Sequence, residues 1–241
     1  MKNFICRIAI LVIASFFLGT IVNAQTTFYD NYAFRIPLTL NNASLSVTTD
    51  QTNFVALLKV TSPQFVSGVC TDKVGGSATI PPFAIVDPDY STTTELNYQV
   101  EDYDPVTGVI YFWVKVPLLY KTGSTHGSNT FYVYFGSPGP SVTHDAAWQK
   151  LTWSGVTATT GINYSGVWHL NEDPSGAAPQ FADATVNNNN LSNAGSSGSV
   201  TQNASSQIGN GITLVGTSVI DLGAVKVPIS DANQSLSIWA R

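Results

Sequence analysis

From Ile110 to Val116 the chain alternates without a break: Ile110, Phe112, Val114 and Val116 fall on one side, Tyr111, Trp113 and Lys115 on the other, and Pro117 closes the run. A period of two marks a strand with one buried face. The same period sets Phe34, Ile36, Leu38 and Leu40 against Arg35, Pro37 and Thr39, and Leu96, Tyr98 and Val100 against Asn97, Gln99 and Glu101. It recurs in Phe131, Val133 and Phe135 against Tyr132 and Tyr134. Pro37 cannot donate to a ladder, so its strand belongs at a sheet edge or a bulge. Phe54 to Val60 reads FVALLKV, apolar on both faces until Lys59, as in a strand covered by a second layer. Another short strand is read at Phe83 to Val86. Turn signals separate these runs: a Gly-, Ser- and Pro-rich loop from Ser62 to Pro82, then Pro105 to Gly108, Gly123 to Asn129, and Gly136-Ser137-Pro138. Such spacing predicts a β-sandwich or barrel. Only Asp145 to Leu151 reads as a short helix.

Beyond that helix the pattern changes. Residues 154–163 are rich in Gly and Thr and read as a linker, after which come the strand-like GVWHL (Gly166 to Leu170), a polar low-complexity stretch from Asn187 to Gln207, and apolar runs at Ile212–Val215, Val219–Leu222 and Leu236–Trp239. The expected organisation is a leader at 1–24, a β-sandwich at 25–153, the linker at 154–163, and a second, incomplete β domain at 164–241. The leader follows from Lys2 and Arg7 ahead of the apolar run Ile8 to Val22, with Val22-Asn23-Ala24 offering small residues for cleavage before Gln25. The run is shorter than the roughly 18–20 residues that span a bilayer, so a cleaved signal peptide and no membrane span are expected.

Cleavage would sharpen the composition. It removes Lys2, Arg7 and Cys6 but no acidic residue, making a net charge of −5 more negative and leaving Cys70 as the single thiol. Nucleic acid and anionic lipid surfaces are poor partners for such a chain, and no intramolecular disulfide can form. Charged residues make up 10% of the chain, so the loops are polar without being charged, as in an all-β exported protein.

Phe34-Arg35-Ile36-Pro37-Leu38-Thr39-Leu40, the Leu96 and Tyr98 strand, Trp113-Val114-Lys115-Val116-Pro117 and Tyr132-Val133-Tyr134-Phe135-Gly136 follow in that order. Together they resemble the bacterial domain of unknown function 2341 over roughly residues 32–138, with Phe135-Gly136-Ser137 where the family usually carries Tyr-Gly-Asn. Gly166 to Leu170, Asp183 to Leu191, Gly209 to Ile212 and Leu236 to Trp239 look like the opening of a concanavalin A-like, laminin-G-type jelly roll. The resemblance implies a secreted tandem architecture and no chemistry.

Tests for catalysis find little. Glycoside hydrolysis needs a pair of flanking carboxyl groups, yet the glutamates are only Glu95, Glu101 and Glu172, and the cluster Glu101, Asp102 and Asp104 runs into Pro105 as solvated turn acids do. No nucleophile elbow is present, Cys70 has no histidine near it in sequence, and His126, His144 and His169 stand singly. His169 reads as a packed or capping residue. Calcium is the one metal worth carrying, at Asp183 and Asn187, since laminin-G-like modules hold it with Asp and Asn oxygens; one nearby acid makes a weak site. Tyr111, Trp113, Tyr132 and Tyr134 lie on successive strands and are expected to share one sheet face, where flat rings stack on sugars or pack against the second module. The sequence thus points to a non-catalytic extracellular or envelope binding module for a glycan or surface protein. The alternatives are a structural spacer of a larger envelope protein and a glycoside hydrolase fragment.

Overall fold

The computed structural model describes residues 32, 34–40, 47–66, 83–88, 95–125, 129–135, 144–155, 164–193, 199–204 and 206–221. The leader, Cys70, His126, the Gly136 to Pro138 turn and the run Leu236 to Trp239 lie outside them, as does most of the expected linker. The sandwich strands are β1 (Phe34–Thr39), β2 (Gln51–Thr61), β3 (Phe83–Val86), β4 (Tyr98–Asp104), β5 (Val109–Leu119) and β6 (Thr130–Phe135). They form two antiparallel sheets, β1-β6-β3 and β2-β5-β4. Among the described residues the fold is all-β, with one short helix, α1 (Ala146–Lys150).

The alternation read from the sequence sets the core. Ile110, Phe112, Val114 and Val116 on β5 and Phe131 and Val133 on β6 are all 0% exposed, and they join residues of both sheets in one cluster. Phe83 of one sheet meets Phe112 of the other edge to face, with centroids 5.3 Å apart, so the sheets interlock through rings. Phe65 adds a plug that the loop reading missed. It ends a 3-10 turn, Pro63–Phe65, and packs at 5.0 Å on Phe135 and 5.3 Å on Phe83. The turn sits against Gly108, whose carbonyl accepts from Ser62 N–H at 3.0 Å. At φ +68° and with Ser62 O where a Cβ would stand, position 108 admits only glycine.

Two prolines mark the ladder. Pro37 lies on β1, an edge strand as expected. Pro117 does not close its strand: β5 continues to Leu119, and the ladder skips the step between Thr52–Leu118 and Phe54–Val116. The residue opposite is Asn53, at φ +52°, so a left-handed turn of backbone accommodates the missing donor.

β2 explains its own composition. Ala56, Leu58 and Val60 face the core, while Val55, 8% exposed, lies under Trp153 and Ala184 in a second cluster. Asp145 caps α1 by accepting from Trp148 N–H at 2.8 Å, and a 3-10 turn, Leu151–Trp153, carries the chain onto the outer face of β2-β5-β4.

After the sandwich, GVWHL is not a strand. Residues 166–170 are irregular, Leu170 has φ +56°, and Trp168 folds back over Gly166 and donates its indole N–H to Asn189 O at 2.7 Å. The polar stretch holds β7 (Ser192–Asn193) and β8 (Ser199–Asn203); β9 (Gly211–Val215) pairs with β8, and β10 (Ile220–Asp221) with β7.

Candidate functional site

A bulge in β4 shapes the candidate site. Val100 pairs with Phe112 and Tyr103 with Ile110, both core positions, so two residues, Glu101 and Asp102, oppose the single outward Tyr111. A bulge inserts one residue and redirects its neighbours. Here it keeps both acids out of the core and returns Tyr103 to it, where its hydroxyl donates to Phe65 O at 2.7 Å.

Glu101 is therefore not a solvated turn acid. Its side chain is 9% exposed, and Oε2 accepts from Trp113 Nε1–H at 2.5 Å and lies 2.5 Å from His169 Nδ1. Gln99 stands one outward position earlier. Its Oε1 accepts from Trp153 Nε1–H at 2.6 Å and lies 3.1 Å from His169 Nε2. An indole N–H can only donate, so Gln99 must present oxygen here and His169 Nε2 must carry hydrogen. The contact at Nδ1 then holds one proton between His169 and Glu101. The rings pack as well: Trp113 and Trp153 are 5.3 Å apart, Trp153 and His169 5.7 Å, and Trp153 meets Tyr164 edge to face at 5.4 Å. His169 is packed, as its neighbours in sequence suggested.

The other two acids of the cluster divide. Asp104 is a turn acid, accepting from Val106 N–H at 2.8 Å and Thr107 Oγ1–H at 2.5 Å, and these bonds, the hydroxyl's first, lower its pKa. Asp102 is raised, chiefly by burial and further by Asp104 and Glu101, against the Tyr103 N–H.

A second histidine pins α1 to the same strand. Tyr98 Oη–H donates to Phe83 O at 2.9 Å and lies 3.0 Å from His144 Nδ1, while His144 Nε2 is 2.8 Å from Glu95 Oε1 and its ring lies 4.2 Å from that of Trp148. Lys115, outward on β5, donates to Leu151 O at 3.2 Å, and burial lowers its pKa.

The four expected platform aromatics do not share a face. Tyr111 and Trp113 lie on β2-β5-β4, whereas Tyr132 and Tyr134 lie on the outer side of β1-β6-β3, because β5 and β6 belong to different sheets. Lys59 Nζ stands 5.5 Å from the Tyr111 ring and Arg35 Cζ 4.6 Å from that of Tyr132. Tyr134 is 1% exposed and packs with Tyr32, Ala84 and Val86; burial raises its phenol, with Arg35 opposing.

Asp183 and Asn187, the calcium candidates, do meet in one loop. Asp183 is 1% exposed, and its carboxylate accepts from Val167 N–H, Thr185 N–H, Thr185 Oγ1–H and Asn189 N–H at 2.8–3.0 Å. Asn187 turns its amide N–H groups to the carbonyls of Tyr164 and Ser165 at 2.9 and 3.3 Å. An ion at Asp183 would have to displace four donors. Among the described residues no three His, Cys, Asp or Glu side chains gather as a metal site.

Between β4, α1 and the 169–184 loop lies a cleft of about 240 Å³. Its lining includes Glu101, Gln149, Lys150, His169, Asn171 and Glu172. Sequence reading set Gln99 outward without giving it a role, weighed Glu172 only as one of too few glutamates for hydrolysis, passed over Trp153, and took Glu101 for a turn acid. Alternation already sets Glu101 outward; the bulge that sends Asp102 outward beside it leaves no mark in the pattern.

Residues 85–166 match the family described as Domain of unknown function (DUF2341). The match starts later than the resemblance drawn from the motifs and runs on through α1 and Trp153, so it takes in the structure that covers the outer face of β2-β5-β4. No curated protein and no solved structure matches the chain.

Proposed function

We propose that this chain is a non-catalytic module of an exported protein, working as a rigid structural and interaction unit. In this reading the sandwich and the segment after it move as one body. The observation that carries it is the consumption of the Trp113 face: Trp153 and His169 lie on Trp113, Gln99 bonds to both of them, and Glu101 bonds to Trp113 and His169. A sheet face used inside the chain transmits force and orientation between modules. Export rests on Lys2, Arg7 and the apolar run before Gln25. The second segment fits the start of a concanavalin A-like jelly roll, in which the half-exposed Leu214, Val215 and Val219 would be covered by further strands.

Residual dipolar couplings test the rigid unit. One alignment tensor should fit amides of both β5 and residues 181–191; two clearly different tensors would sink the proposal.

A further inference from the structure

We infer that the cleft between β4, α1 and the 169–184 loop is a binding site for one ring of a neutral saccharide. The inference stands apart from the rigid-unit reading and from the aromatic faces. Its basis is the hydrogen-bonding capacity left over once the junction has formed. Glu172 Oε1 accepts from Ala182 N–H at 2.8 Å, but its buried Oε2 has no partner among the described residues. A buried carboxylate oxygen without a donor costs stability unless something fills the space before it. Gln149 donates to His144 O at 3.0 Å and keeps its Oε1, Gln99 commits its Oε1 and keeps its amide N–H groups, and the Asn171 amide bonds to no described residue.

The charge balance selects the ligand. A free anion would meet Glu101, Glu172 and Asp183, all lining residues, and a free cation would meet Lys150, which also lines the cleft. A hydroxyl donates to Glu172 and Gln149 and accepts from Gln99 and Asn171, so a molecule rich in hydroxyls matches both kinds of group at once. Ala146, Ala182 and Ala184 supply the apolar lining that the C–H face of a sugar ring needs. The volume, about 240 Å³, suits one ring.

Titration of the isotope-labelled whole chain with D-glucose, D-galactose, D-mannose and N-acetylglucosamine, followed by heteronuclear NMR, tests the site. At least one sugar should shift the Gln99, Asn171 and Glu172 signals saturably. Asn171→Ala, which removes a side chain that holds nothing in the fold, should then weaken binding tenfold or more, and Glu172→Gln should do likewise. The inference is overturned if no sugar moves these signals, if both variants bind as well as the parent, or if CaCl₂ or methylammonium alone produces the same shifts. A single alignment tensor with no sugar response would retain the rigid unit and remove this site.

Discussion

On β1-β6-β3 the outward Tyr132 and Tyr134 close on Arg35 and Tyr32, while on β2-β5-β4 the outward Trp113 closes on Trp153 and His169 from beyond the sandwich. The two faces carry similar aromatic patterns and differ in what stands beside the rings. Each has a cation beside a phenol, Arg35 over Tyr132 on the first and Lys59 near Tyr111 on the second. The second also has the bulged Glu101 and the amide of Gln99, hydrogen-bond acceptors that call for donors from elsewhere, and the indoles and His169 supply them. An outward aromatic run therefore says that a face will be covered; its polar neighbours decide by what.

The sharpest way to break the contrast is Trp153→Ala. Removing this 4%-exposed indole should cost about 3–5 kcal/mol in denaturant unfolding. Hydrogen exchange should then show amides of 166–191 losing protection while those of β1 and β6 keep theirs. Tyr134→Ala, on the other face, should cost a similar roughly 3–5 kcal/mol but lower protection across the sandwich with no separate loosening of 166–191. If the two exchange patterns coincide, the faces do not differ as described.

Glu101→Gln should have a smaller effect. The amide oxygen can still accept from Trp113, but the charged partner of His169 is gone, and a loss of roughly 1–3 kcal/mol is expected by chemical denaturation. A loss below the error of the measurement would show that the contact contributes nothing to docking.

Asp102→Asn gives the smallest change, of opposite sign. A carboxyl raised in the fold contributes stability that is full below its unfolded pKa and is lost as pH rises through the folded one. Ionised Asp102 thus weakens the fold at neutral pH, so the asparagine variant should melt higher than the parent there. The gap should close as both are taken into acid; a gap that persists would point to a cause other than charge.

Much of the sandwich was legible in the sequence because side-chain direction along a strand has a period of two. Ile110 to Val116, Phe131 to Phe135 and the double-sided FVALLKV each declared their buried faces, and Val55 even declared the second layer above it. That period does not say which strands are neighbours. β5 and β6 are consecutive, yet the connection at 120–129 crosses from one sheet to the other, which split the four aromatics between opposite sides. The junction was less legible still. Its acid stands on the outward face that alternation gives it, but its partners Trp153 and His169 come from more than 50 residues away in sequence. GVWHL, with the composition of a strand, is held irregular by the bonds of Asp183 and Asn189 around it.

Pro37 bears on how copies of this chain meet one another. An open sheet margin with unpaired backbone groups is a template on which a neighbouring molecule can add a strand, and in a crowded compartment such growth ends in fibres. Among the described residues β1 pairs on one side only, and near its middle stands an exposed residue with no N–H to offer an incoming strand. One imino acid thus interrupts the row of donors that intermolecular pairing along β1 would use.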